Sequence, residues 1–194
     1  MATIISSKTS GVGGLTVTGD ASGVLQLASA NGTTAVTIDA SQNVTFAKAI
    51  NKAALPTGSV LQVVNATYST PVSNSTSTFV DTGLTATITP LFSTSKILVT
   101  VHQEGVGKTA SDTAVIISLV RNTTGIVTFS LFAGQTSSAA TSTIGGCGTT
   151  FLDTPTTTSA VIYKTQFNSY SNTNGVGVQR SNEMSTITLM EIAG

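Results

Sequence analysis

From Thr57 onward, apolar and hydroxyl positions alternate with a period of two. Leu84, Ala86 and Ile88 are interleaved with Thr85, Thr87 and Thr89, which predicts a strand with one face in a core and one in water. Pro90 ends it. Ile97, Val99 and Val101 repeat the pattern, as does Val161–Phe167. Ser59–Val64 and Val115–Val120 are nearly continuous apolar runs and read as strands buried on both faces. Ile126–Phe132 follows the Asn122-Thr-Thr-Gly125 turn, Thr149–Leu152 reads as a short strand, and Thr186–Ile192 closes the chain. That is about eight strands in about 135 residues, the number and spacing of an antiparallel jelly roll or a related sandwich. The predicted class is all-β: a jelly-roll-like head over 56–194, preceded by a short-stranded β stem or arm over 1–55.

The arm has a sparser pattern. Its apolar residues come in pairs about ten positions apart: Leu15/Val17, Leu25/Leu27, Val36/Ile38 and Val44/Phe46. Turn signals separate them: Gly19-Asp20, Asn31-Gly32 and Asp39-Ala-Ser-Gln-Asn43. Two apolar residues per strand bury too little area to offset the ordering of a lone chain. Sister chains around a common axis would supply the missing neighbours, so Leu15, Val17, Leu25, Leu27, Val36, Ile38 and Phe46 are candidate trimer contacts. Phe46 to Leu55 is the one stretch that reads as a helical turn, with Phe46 and Ile50 four apart and Pro56 as the stop.

Composition strengthens the β reading. Thr and Ser number 37 and 24 of 194 residues, and β-branched threonine suits a pleated, half-exposed surface. Charged residues are 8% of the chain and cancel to zero. No basic stripe exists to neutralise phosphates, so nucleic-acid binding is not expected. No run approaches 18 apolar residues, so no membrane insertion is expected. Met1-Ala-Thr-Ile-Ile-Ser-Ser lacks the charged start and apolar run of a secretion signal. The expectation is synthesis in a host cytoplasm.

Catalytic chemistry lacks its residues. His102 is the single histidine and Cys147 the single cysteine, 45 positions apart. They predict neither a metal site nor a nucleophile–base pair, and no cofactor is expected. Cys147, among glycines, reads as a small buried residue. Glu104, Asp112, Asp153 and Glu183 are the carboxylates available for glycoside cleavage, without a recognisable setting. Gly105-Val-Gly-Lys-Thr109 imitates the end of a phosphate-binding loop, but His102 stands where that motif needs glycine. It reads as a loop between strands. Five Asn-x-Ser/Thr sequons, at Asn31, Asn43, Asn65, Asn74 and Asn122, are what chance supplies in such a composition. The loop Asn168-Ser-Tyr-Ser-Asn-Thr-Asn-Gly175 sets Tyr170 among amides. Tyr170, Asn172 and Asn174 are candidate receptor contacts, with an ordinary turn-rich loop as the plainer reading.

Gly58-Ser-Val-Leu-Gln-Val-Val64, Thr78-Phe-Val-Asp-Thr-Gly-Leu84, Ile88-Thr-Pro90, Ser93-Thr-Ser-Lys-Ile-Leu-Val99 and Ser185-Thr-Ile-Thr-Leu-Met-Glu-Ile192 resemble, in order and spacing, a recurring domain of tailed-bacteriophage fibre and virion proteins. Val36–Phe46 is more weakly similar to segments that precede such domains. The resemblance implies a homotrimeric β-sandwich head on the exterior of a phage particle. Its partners would be other virion proteins and a host-surface glycan or protein. Members usually end longer fibres, whereas this chain is short and shows no obvious tail anchor. Three readings stay open: a short tail fibre or receptor-binding appendage, a capsid decoration or head-fibre protein, and a polysaccharide-cleaving fibre. The first, without enzymatic activity, is the expectation.

Overall fold

A computed structural model describes residues 22–29, 33–48, 50–138, 144–171 and 173–194. Leu15, Val17, Asn172 and the Asn31-Gly32 turn signal lie outside the described residues. The chain divides into two compact units, Met1–Ala54 and Leu55–Gly194.

In the first unit, β1 (Leu25–Ser29), β2 (Thr33–Ile38) and β3 (Val44–Phe46) form a three-stranded antiparallel sheet in the order β1-β2-β3. Phe46 is therefore a strand residue and not the start of a helical turn. A single 3₁₀ turn occupies Lys52–Ala54. The correction has a local cause: Phe46 and Val44 complete the β2–β3 ladder, pairing with Val36 and Ile38. A ladder with its cross-strand neighbours outweighs one i,i+4 spacing. The Asp39 carboxylate makes the β2–β3 turn, accepting from the backbone N–H of Ser41 and of Asn43 and from Asn43 Nδ2.

The second unit holds β4 (Val60–Tyr68), β5 (Val72–Asn74), β6 (Val80–Ile88), β7 (Lys96–Lys108), β8 (Thr113–Arg121), β9 (Thr124–Thr136), β10 (Gly145–Asp153), β11 (Val161–Ser169), β12 (Val176–Val178) and β13 (Ser185–Ile192). β4 and β5 pair with β13 and β12, which in turn both pair with β7. Each of these couples is one strand interrupted once. Counted so, eight strand positions fall into two antiparallel sheets ordered 1-8-3-6 (β4/β5, β13/β12, β7, β10) and 2-7-4-5 (β6, β11, β8, β9). This is the double Greek-key order of a jelly roll.

The core lies between the sheets. Leu84, Ala86, Ile88, Ile97, Val99, Val101, Leu119, Tyr163, Ile187 and Leu189 form one cluster; Val106, Val115, Ile117, Phe167, Val176 and Val178 form a second. Between them runs a buried polar layer. Thr82 and Thr165 share a hydroxyl bond of 2.5 Å, Thr165 Oγ1 donates to Gln103 Oε1, and Gln103 and Gln179 Nε2 both donate to Ser185 Oγ. Gln103 interrupts the apolar alternation of β7, and Thr165 that of β11.

Two expectations about strands are corrected. Ser59–Val64 is not buried on both faces: β4 is an edge strand, with Val60 51% and Val63 56% exposed. Its apolar run is legible in the chain, but its place in the sheet comes from long-range pairing. Gly105–Lys108 is not a loop; it is the last turn of pleat in β7. Gly105 has φ 60 and sits against the backbone of Arg180, where a Cβ would clash. A local αL bulge of this kind continues the strand while re-aiming it. Lys108 is wholly buried, its ammonium donating to Thr113 O, Thr136 O and Thr136 Oγ1.

Candidate functional site

The arm sheet has two unlike faces. Its register places Leu25, Ile38 and Val44 in one transverse row and Leu27, Val36 and Phe46 in the next. Alternation puts all six on one face and Gln26, Thr37 and Thr45 on the other. Leu25, Leu27, Val44 and Phe46 remain 44%, 50%, 54% and 51% exposed, and Val36 and Ile38 are half-buried. The structure thus brings together five of the seven predicted stem contacts and adds Val44.

The head has a second apolar surface, which sequence reading missed. On the outer face of the first sheet, Val63 pairs with Met190, Met190 with Leu98, and Leu98 with Leu152. They form a band across four strands. The next row is Asn65, Thr188, Thr100 and Thr150, without a charge. No local signal marks this band, because each strand contributes one residue to it.

The predicted receptor loop is shorter than expected. β11 continues through Ser169, and Asn168 is buried, donating to Ser77 O. Tyr170 is half-exposed and packs edge-on against Phe132 with ring centroids 5.2 Å apart. Asn174 is tied down: its Nδ2 donates to Ser111 O and its carbonyl accepts from Ser169 Oγ.

Three ion pairs join ionisable groups among the described residues. Asp153 accepts from Arg121 Nη1 with both oxygens at 2.9 Å, and from Tyr163 Oη at 2.6 Å. Burial, then that carboxylate, push the Tyr163 phenol well above its ordinary range. Asp81 accepts from Lys164 Nζ at 2.8 Å and Gln166 Nε2 at 2.7 Å. Burial works to raise the Asp81 carboxyl, but these hydrogen bonds and the lysine charge outweigh it and hold it below its ordinary value. His102 Nδ1 lies 2.9 Å from Glu104 Oε1 on β7. Cys147 is half-buried rather than buried, and burial pushes its thiol up to about 11, against a hydrogen bond with Ser130 and with help from the Glu104 charge.

These positions bear on hydrolysis. Asp153 stands opposite Ile97 on β7, so Glu104 lies seven residues along the strand from it, about 23 Å at the usual rise. Paired glycosidase carboxylates stand about 5–9.5 Å apart. Among the described residues, no group of three His, Cys, Asp or Glu side chains is placed to hold a metal ion, and no helix is long and apolar enough to cross a membrane.

No protein-family model and no curated protein matches the chain. Among solved structures, the VP2 subviral particle of infectious bursal disease virus is similar over 70% of this chain, at a TM-score of 0.45 and 10% identity. The chain spans 34% of that protein's length.

Proposed function

We propose that this chain is a non-enzymatic structural protein of a bacteriophage particle. It acts as a homotrimeric appendage whose arm joins it to other virion proteins and whose jelly-roll head meets the host surface. The observation that carries this reading is the uncovered apolar face of the arm. Six apolar side chains on a nine-residue platform, with a polar back, make a sheet that is finished only by a neighbour. Covering the exposed half of Leu25, Leu27, Val44 and Phe46 contributes about 1 kcal/mol each, against about 1–2 kcal/mol per residue for ordering the strands. Identical chains around a three-fold axis bring identical apolar rows together, with no charge in the way. The resemblance of its strand motifs, in order and spacing, to tailed-phage virion domains supports the location.

The test is the solution mass of the full chain together with host adsorption. A trimer that competes with phage for cells is expected. A compact, solitary monomer that neither binds cells nor slows infection overturns the proposal.

Capsid decoration is the second reading, favoured by the apolar band through Val63 and Leu152. An apolar band bordered by a row of Asn65, Thr188, Thr100 and Thr150 suits lateral packing on a shell. Copy number per particle separates the two: a few trimers at a tail, or scores over the capsid. Glu104 and Asp153 stand too far apart to act together as a polysaccharide-cleaving pair.

A further inference from the structure

The outer face of the second sheet carries a groove. It is lined by Gln166, Ser118 and Thr128 from one transverse row and by Val120 and Gly125 from the next. Gln166 pairs with Ser118 and Ser118 with Thr128; Lys164 pairs with Val120 and Val120 with Gly125. Leu119, Ile117, Thr165 and Phe167 face the core, so alternation turns these rows outward. Yet Ser118 and Val120 are only 7% and 2% exposed. They are recessed, with Phe79 as one wall. The second row ends in Gly125, where an added Cβ would meet nothing within 4 Å. The depression lined by these residues has a volume of about 400 Å³ and is open to solvent on one side.

The lining has a definite chemistry. The half-exposed Phe79 ring offers an apolar plate. Ser118 Oγ and Thr128 Oγ1 are bonded to each other at 2.8 Å, and each hydroxyl keeps capacity for a second partner. Gln166 spends its Nε2 on Asp81, which fixes the amide and leaves its carbonyl oxygen as an acceptor. Asp81 and Lys164 cancel each other's charge through their 2.8 Å bond. An apolar ligand would strand the hydroxyls without water. Among the described residues that line the groove, none is a cation to receive an anionic one. A pyranose has an apolar C–H face and a rim of neutral hydroxyls, and it fits both halves of this lining.

We propose that this groove binds a neutral saccharide, a hexose or N-acetylhexosamine unit of a host-surface glycan. The inference rests on the attachment reading and names the ligand class of the head.

The full chain, labelled with ¹⁵N, is titrated with methyl glucoside, methyl galactoside and N-acetylglucosamine, and with N-acetylneuraminic acid as the charged control. Millimolar binding of at least one neutral sugar is expected, with amide shifts centred on Ser118, Gly125, Thr128 and Gln166. Phe79→Ala, which removes the plate, should weaken it about tenfold, a loss of about 1.4 kcal/mol. Gly125→Phe fills the open space without touching the core and should abolish binding while melting temperature stays unchanged. Absence of shifts at those amides with every neutral sugar overturns the proposal. So do shifts that survive Gly125→Phe, or a preference for the charged sugar. Solution mass is read on the same samples. A trimer without sugar binding removes this inference alone, and a monomer that still binds removes the assembly reading alone.

Discussion

Asp153 is nearly buried, and three donor contacts converge on it: two from the Arg121 guanidinium and one from the Tyr163 hydroxyl. This ties the end of β10 in one sheet to β8 and β11 in the other. A carboxylate in that setting costs more to neutralise than to keep, because an amide leaves the Arg121 charge without a counterion and turns one of the two accepting oxygens into an N–H donor. Asp153→Asn should therefore destabilise the head by about 2–3 kcal/mol, read from urea unfolding of the full chain. An Asn as stable as wild type would show the pair to be worth little. Tyr163 gives this cluster a pH signature. Its folded value is raised, so its contribution is intact below the unfolded phenol value of about 10. It is lost as pH climbs above that, because the unfolded chain ionises first. Stability should fall in alkali from about pH 10, and Tyr163→Phe should flatten the fall.

At the scale of elements, the arm sheet is the informative piece. Its turn depends on Asp39, which the Asn43 amide and backbone N–H hold below its ordinary value against a small burial effect. A depressed carboxyl supports the folded form above the unfolded value of about 4 and loses that support as pH falls through the folded one. Protection factors of the Ser41 and Asn43 amides, taken against their intrinsic exchange rates, should thus fall in acid, and Asp39→Ala should reproduce the effect at neutral pH. Protection unchanged by that substitution would remove the turn from the account. The apolar face makes a separate prediction. Leu27→Asp and Phe46→Asp place like charges in the proposed three-fold contact. Both should turn a trimer into smaller species in sedimentation, with the head's melting curve retained. A trimer that tolerates both would place its contacts elsewhere.

For the whole molecule, the proposed assembly would use surfaces other than those that hold the head together. The jelly roll has its own two-sheet core, so its folding does not require the uncharged band on its outer face. Val63→Lys combined with Leu152→Lys should leave head stability within about 0.5 kcal/mol. The same pair should weaken any association that uses the band, measured as a shift of sedimentation with concentration. Loss of folding instead would show that the band belongs to the core.

Periodicity alone determined the class of this protein. The Leu84–Ile88, Ile97–Val101 and Val161–Phe167 alternations have the period of the pleat, and every one of them turned the expected face inward. The arm pairs were legible for the same reason. What no local pattern contains is which strand lies beside which. The edge position of β4, the strand character of Gly105–Lys108 and the ladder that claims Phe46 all follow from partners far away in the chain. The two outward surfaces of the head have that origin too. The band takes one residue from each of four strands, and the groove is lined by residues of β8, β9 and β11. Cross-strand register is a property of the folded sheet, so only the tertiary structure could bring those residues together.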